Sequence, residues 1–141
     1  NKDVEQLTEN IPKDAMEFCN MGLAFFNKGY FKRARAFFRE FIKKCPEHEK
    51  VDDAQFFVAN CYFSEAKFNK AIPEYKSVYE HYQAGDRFRE AVLRIGLCYE
   101  RLNDCVKARK IYLFAAEEFR KTPEGRKAKS KADLLKKSCK K

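Results

Sequence analysis

The sequence predicts an all-α fold, a solenoid of stacked helical hairpins, from three observations: a gapless internal repeat, helical spacing of apolar residues inside each repeat, and a scarcity of turn formers. Only five of 141 residues are Gly and four are Pro, which favours long helices with short loops over many short strands. Hydrophobic residues make up 45% and charged residues 36%, the balance of a folded domain and not of a disordered chain. Fourteen Phe and seven Tyr, with no Trp, predict an aromatic interior.

Sliding the sequence against itself by 37 residues aligns Gly22, Ala59 and Gly96, each preceded by an apolar residue, Met21, Val58 or Ile95. Phe25, Tyr62 and Tyr99 follow in register, then Ala34, Ala71 and Ala108, then Phe38, Tyr75 and Tyr112. Ala54, Ala91 and Ala128 carry the register into a fourth, partial unit. The units run over about 14–50, 51–87 and 88–124, and a capping helix over about 126–139 completes a repeat domain spanning 14–141. Residues 1–13 form a separate N-terminal segment, a short helix or a linker, whose Val4, Leu7 and Ile11 have helical spacing.

Within the second unit Phe56, Ala59, Tyr62 and Phe63 recur at helical intervals, as do Ala71, Tyr75, Val78 and Tyr82 after a break. Breaks at Lys28-Gly29, near Ala66-Lys67 and at Asn103-Asp104 divide every unit into two helices, with Asn69 expected to cap the helix after the second break. Pro73 would then be a fourth helical residue, removing one early hydrogen bond and kinking the helix slightly. Cys45-Pro46-Glu47, Ala84-Gly85-Asp86 and Thr122-Pro123-Glu124-Gly125 mark the junctions between units. The small residue of each unit lets two helix backbones approach, while the facing aromatic fills the space left by the missing side chain. A lone hairpin cannot bury its apolar face, so the units must stack.

The pattern Met21-Gly22…Phe25…Ala34…Phe38…Pro46, repeated as Ile95-Gly96…Tyr99…Ala108…Tyr112, resembles the tetratricopeptide repeat. The resemblance covers roughly residues 14 to 126 plus the last helix. It implies a right-handed α-solenoid of three such hairpins with a C-terminal capping helix. It also implies a non-catalytic scaffold that binds a peptide or protein through its concave face, lined by the first helix of each unit. The unit departs from the usual length of about 34 residues, and Phe41 and Val78 fill columns that often hold smaller residues. A lengthened unit with a Pro-Glu or Gly-Asp junction is similar to Tol–Pal-associated periplasmic proteins and outer-membrane assembly lipoproteins. That narrower likeness implies the periplasm and a role in cell-envelope assembly or division.

Registering the repeat places Asn20, Leu23, Phe26 and Asn27 on the concave face from the first unit, and Phe57, Asn60, Phe63 and Ser64 from the second. The third contributes Arg94, Leu97, Glu100 and Arg101. Rings would act as anchors and amides would bond a peptide backbone. The alternatives are that these rings pack against the N-terminal segment or a neighbouring unit, or that they mediate self-association. Chaperone-binding members of the family grip a C-terminal carboxylate with a set of Lys, Asn and Arg. Here Arg94 alone matches that set, with Cys19, Leu23, Phe57 and Glu90 in the other places, so this mode is disfavoured.

Charge is concentrated at the end of the chain. Ten Lys or Arg against two acids lie between Arg120 and Lys141, a net +8 of the chain's +9. Ala128, Ala132, Leu135 and Cys139 give the last helix a narrow apolar stripe, and Arg126, Lys127, Lys129, Lys131, Lys136 and Lys137 form a basic patch around it. Such a patch is the polar outer surface a capping helix needs, or a docking site for an acidic partner, a membrane surface or nucleic acid. Nucleic acid fits worst, because no aromatic interleaves with these lysines to stack on bases.

No residue pattern supports catalysis, a cofactor or a metal. His48 and His81 fall at junctions, in different repeat columns and without ligand spacing. No Gly-rich phosphate loop or nucleophile elbow is present. The six cysteines, Cys19, Cys45, Cys61, Cys98, Cys105 and Cys139, include no C-x-x-C pair and read as buried or incidental thiols. Their even number permits disulfides in an oxidising compartment, but nothing in the spacing specifies a pair. No apolar run approaches the roughly 18 residues of a membrane span. No signal peptide is visible and the chain does not begin with Met, so it reads as a mature form or a piece of something longer. Two functional classes remain: a scaffold, periplasmic or in the cell envelope, and a cytoplasmic adaptor that docks an acidic surface through its basic end helix.

Overall fold

A computed structural model of the chain describes residues 15–139, and the segment expected over 1–13 lies outside them. Among the described residues the chain forms seven helices and no strand: α1 (Ala15–Asn27), α2 (Phe31–Lys44), α3 (Val51–Ser64), α4 (Phe68–His81), α5 (Phe88–Arg101), α6 (Cys105–Glu118) and α7 (Pro123–Ser138). Each helix packs on the next in chain order, and α5 also touches α7, which gives an α-solenoid of three hairpins closed by a terminal helix.

The turn inside each hairpin is the same device three times. Gly29, Ala66 and Asn103, one repeat apart, all adopt a left-handed backbone, with φ of 83°, 60° and 61°. Each donates its N–H three residues back, and the following residue donates five residues back, as in Tyr30 to Phe25, Lys67 to Tyr62 and Asp104 to Tyr99, all at 2.9 Å. This is a Schellman ending, which closes the orphan carbonyls of the first helix and aims the chain back along it. The turn also fixes where the second helix starts. Tyr30, Lys67 and Asp104 occupy the cap positions, and only Asp104 caps with its side chain, accepting from the Lys107 N–H. Asn69 therefore does not cap α4 as expected, because it already lies inside the helix. Pro73 becomes the sixth residue of that helix and leaves the carbonyl of Asn69 without its usual donor.

Hairpin crossings follow the small-against-aromatic rule. A β-carbon added at Gly22 would stand 2.7 Å from the Phe38 ring, and one at Gly96 would overlap the Tyr112 ring. Phe38, Tyr75 and Tyr112 are accordingly almost fully buried. Three clusters form the core in sequence. The first is built on Phe18, Phe37, Phe38 and Phe41, the second on Phe56, Tyr75, Val78 and Ile95, and the third on Leu93, Tyr112, Phe119 and Ala132. Helix α3 is buried on several sides because a hairpin lies on either flank.

The last helix begins at Thr122, whose hydroxyl accepts from the Gly125 N–H, with Pro123 in the first turn. Gly125 sits directly on the backbone carbonyl of Phe119, where no β-carbon fits. At the far end of α7, Cys139 is joined by a disulfide to Cys105, with α-carbons 5.7 Å apart, within the usual disulfide span. The spacing left open whether any cysteines pair, and the fold joins these two against the expectation of buried or incidental thiols. The pair is 34 residues apart in sequence, but the antiparallel α6–α7 hairpin brings the two helix ends together. Cys61 and Cys98, one repeat apart, are fully buried, and burial pushes both thiols up to about 12. Burial likewise pushes Cys19 up to about 11. Thiols so placed are poor nucleophiles at neutral pH.

Candidate functional site

The first helices of successive hairpins meet along one face, and the same repeat positions make the contact each time. Phe26 of α1 meets Phe57 of α3 edge-on at 5.5 Å between ring centres. One repeat on, Arg94 of α5 lies 5.3 Å over the Phe63 ring of α3. One repeat further, Lys131 of α7 pairs with Glu100 of α5 at 3.6 Å. The chemistry passes from ring–ring through cation–π to an ion pair while the geometry stays in register. Helix α7 thus packs as the first helix of a fourth unit that has no second helix.

The apolar end of this face holds a cleft of about 310 Å³, lined by Met16, Cys19, Leu23 and Ala54 with the Phe38 and Phe57 rings. Lys50, Asp53 and Arg87 form its polar rim. Arg87 pairs with Asp53 at 2.8 Å and lies 5.7 Å over the Phe57 ring. The rim therefore holds its charges in place and leaves an apolar floor. Such a cleft can take one or two large apolar side chains and pair a backbone amide at its edge.

The residues expected on this face divide into three groups. Asn20, Asn27 and Arg101 are exposed on the first helices, and Arg101 shields the Phe63 and Phe68 rings at 5.6 and 5.9 Å. Phe26, Phe57, Phe63, Arg94 and Leu97 are half-buried. Part of each ring is spent on a neighbour: Phe26 on Phe31, Phe57 on Phe38, and Phe63 on Phe68. Asn60 belongs to the interior instead, and Glu100 is turned onto neighbouring groups from a partly exposed position. Asn60 is 9% exposed and its side-chain oxygen accepts from the Tyr75 hydroxyl at 2.5 Å. Glu100 accepts from the Tyr112 hydroxyl in addition to its pair with Lys131. Both hydroxyls are buried, and burial raises both phenols far above their usual range. Phe38 has no hydroxyl, and the repeat position of Asn60 is Leu23 in that first unit.

The basic patch also divides. Arg126, Lys127, Lys136 and Lys137 are exposed, with no carboxylate at ion-pair distance among the described residues. Lys129 pairs with Asp133 at 2.9 Å, and Lys131 is held between Glu100 and the Tyr112 ring. Residues of the cleft that the sequence reading missed are Met16, Lys50, Asp53 and Arg87. Met16 and Asp53 are one repeat apart, as are Lys50 and Arg87, and that shared register was their available signal.

His48 is half-buried, packs edge-on to Phe41 at 5.1 Å and accepts from the Lys50 N–H, while His81 is exposed. Among the described residues, carboxylate oxygens of Asp52, Asp53 and Asp86 lie within 4.8 Å of one another, a spacing that suits a cation. Burial, then Asp53 and Asp86, raises the Asp52 carboxyl. Asp53 is already neutralised by Arg87 and Lys50, which compete with any ion there.

The tetratricopeptide repeat family model matches residues 20–48 and 90–113, segments of the first and third hairpins. No curated protein matches the chain in sequence. Solved structures share the fold. The N-terminal domain of stress-induced protein-1 (STI-1) from C. elegans superposes with a TM-score of 0.73 at 22% identity, over 86% of this chain and 94% of that one. PcrH, solved in complex with the chaperone binding region of PopD, gives 0.69 at 14% identity, over 91% and 96%. The apo form of RapI gives 0.70 at 16% identity, over 95% of this chain and 53% of its own. No described helix is long and apolar enough to cross a membrane.

Proposed function

We propose that this protein is a non-catalytic interaction scaffold that holds a peptide or protein segment along the face of its first helices. The observation that carries this is the apolar cleft between α1 and α3, floored by Leu23, Phe38 and Phe57 and rimmed by the Asp53–Arg87 pair. Half-buried rings beside fixed polar groups are the surface type on which interface energy concentrates. The fold it shares with PcrH, a protein solved with a segment of PopD, supports the same use of the array.

The test is hydrogen exchange on the full chain with a partner recovered by cross-linking. Protection centred on Leu23, Phe57 and Arg94, and loss of binding by Phe57→Ser, is the expected result. Protection confined to Arg126–Ser138 and erased by modest salt would overturn it. That result would favour the second reading, a cytoplasmic adaptor docking an acidic surface through the exposed Arg126, Lys127, Lys136 and Lys137.

For the compartment, we propose the periplasm, in cell-envelope assembly or division. The lengthened repeat supports it, and so does the Cys105–Cys139 disulfide, since disulfides persist in oxidising compartments. The free thiols of Cys19, Cys45, Cys61 and Cys98 weigh the other way. Cell fractionation with alkylation and mass spectrometry decides between them: a linked Cys105–Cys139 peptide in the periplasmic fraction is expected, and reduced protein in the cytoplasm sinks the proposal.

A further inference from the structure

The groove does not end with the third hairpin. Helix α7 takes the place of a fourth first helix, through the Glu100–Lys131 pair and the hydrogen bond from Arg109 to the carbonyl of Ala132. The repeat register therefore carries the groove columns onto α7. Lys127 continues Met16, Asp53 and Glu90, Lys131 continues Asn20, Phe57 and Arg94, and Leu134 continues Leu23, Asn60 and Leu97. One feature on α7 goes beyond what a polar cap supplies. Leu134 is 74% exposed, the most open large hydrophobic residue described, on a helix that is otherwise strongly polar outside its core stripe. In contrast, Asp133, in the column of Gly22, Ala59 and Gly96, makes polar the side that a missing second helix would cover.

Charge along these columns passes from matched to unmatched down the array. At the α1–α3 end the carboxylate of Asp53 is matched by Lys50 and Arg87. Beyond Glu90, which pairs with Arg94, and Glu100, which serves Tyr112 and Lys131, stand Lys127 and, in the neighbouring column of Asn27 and Ser64, Arg101, neither with an acid at ion-pair distance among the described residues. A segment lying from the apolar cleft toward α7 thus leaves the Phe57 and Leu23 floor, crosses Leu97 and arrives at Leu134 among unmatched cations.

We infer that the occupant of the groove is an acidic segment of a partner protein, carrying Asp or Glu beside apolar anchors, and that Leu134 and Lys127 of α7 form its last subsite. This rests on the groove reading above and makes the basic end helix and the groove one surface. Cations with no acid at ion-pair distance among the described residues attract such a segment and fix its direction, while Leu134 on the same helix supplies an apolar anchor.

The experiment is selection of a random-peptide display library on the full chain, followed by fluorescence anisotropy of the enriched peptides. The variants are Leu134→Ser with Lys127→Glu on α7, and Phe57→Ser in the cleft. Both α7 side chains are exposed, so the first variant should keep the parent's thermal midpoint. Enriched peptides should place Asp or Glu next to Leu or Phe. The α7 variant should weaken them about tenfold and flatten the salt dependence. Peptides that lose affinity with Phe57→Ser but not with the α7 variant would leave the groove reading standing and overturn the extension. Peptides of neutral or basic composition would overturn the acidic occupant. Peptides indifferent to both variants, or no enriched peptide, would overturn the groove reading itself. Tighter binding after removal of residues 1–13 with the α7 variant silent would assign the groove to the chain's own N-terminal segment, against the proposal.

Discussion

Where α1 meets α3, Phe26 and Phe57 make an edge-on ring contact at 5.5 Å; where α5 meets α7, the same repeat positions are Glu100 and Lys131, 3.6 Å apart. The helices meet in the same register at both ends, yet the contact at one is apolar and at the other is partly solvated and ionic. The comparison separates what places the helices from what decorates them. Placement comes from the hairpin turns and the small-against-aromatic crossings, which recur in every unit. With placement secured there, the inter-unit contact is free to vary, and the face changes from an apolar cleft to a basic, leucine-bearing end. A repeat protein can thus grade the chemistry of one continuous surface without changing its fold.

The largest expected effect comes from breaking placement at the ionic end. Gly125→Ala puts a β-carbon onto the backbone of Phe119, which cannot yield as a side chain would. We expect a loss of about 3 kcal/mol in urea denaturation, with hydrogen exchange rising along α7 and not along α1. A uniform loss of protection across all seven helices would show that the two ends do not separate as argued.

Next come the hydroxyls. Tyr75→Phe leaves Asn60 buried beside a ring with no donor, and should cost about 2 kcal/mol. Tyr112→Phe leaves Glu100 with Lys131 and water, and should cost less than about 1 kcal/mol. Adding Asn60→Leu to Tyr75→Phe recreates the Phe38–Leu23 combination of the first unit and should recover most of the loss. Failure of that rescue would mean that the units do not share one interior solution.

Double-mutant cycles address the contrast itself. The Phe26–Phe57 pair, cut to Ala singly and together, should couple by about 1 kcal/mol, unchanged by salt. The Glu100–Lys131 pair, cut as Glu100→Gln and Lys131→Met, should couple by about 0.5 kcal/mol and fade as salt rises, since about a third of each side chain is exposed. Equal salt dependence at the two ends would remove the distinction.

The parts of this molecule set by short-range sequence were legible without the structure. Breaks at Gly29, Ala66 and Asn103 and the facing of Gly22 to Phe38 and Gly96 to Tyr112 follow from one 37-residue register. The misread residues are those whose partner lies on another helix. Asn60 is a polar residue on the right helix face, and only the fold shows its oxygen spent on Tyr75 fifteen positions away. Cys105 and Cys139 become neighbours through the antiparallel course of α6 and α7, which spacing does not express. Lys131 and Leu134 were visible in principle, because the register reaches them once the end helix is treated as a repeat and not as a cap.

The turns supply the smallest effect and the control for the rest. Gly29, Ala66 and Asn103 share one left-handed position, yet Ala is the residue least suited to it, having neither the freedom of Gly nor the local hydrogen bonding of Asn. Ala66→Gly relieves a backbone strain of about 1 kcal/mol and gives back part of that in unfolded-state entropy, for a net gain of about 0.5 kcal/mol. Asn103→Gly should change stability by less, because Asn already tolerates this conformation. Neither substitution touches the face where α1, α3, α5 and α7 meet, so peptide affinity should stay constant at both ends while the denaturation midpoint moves. If Ala66→Gly altered binding at the α7 end, placement and decoration would be coupled, and the division drawn between them would fail.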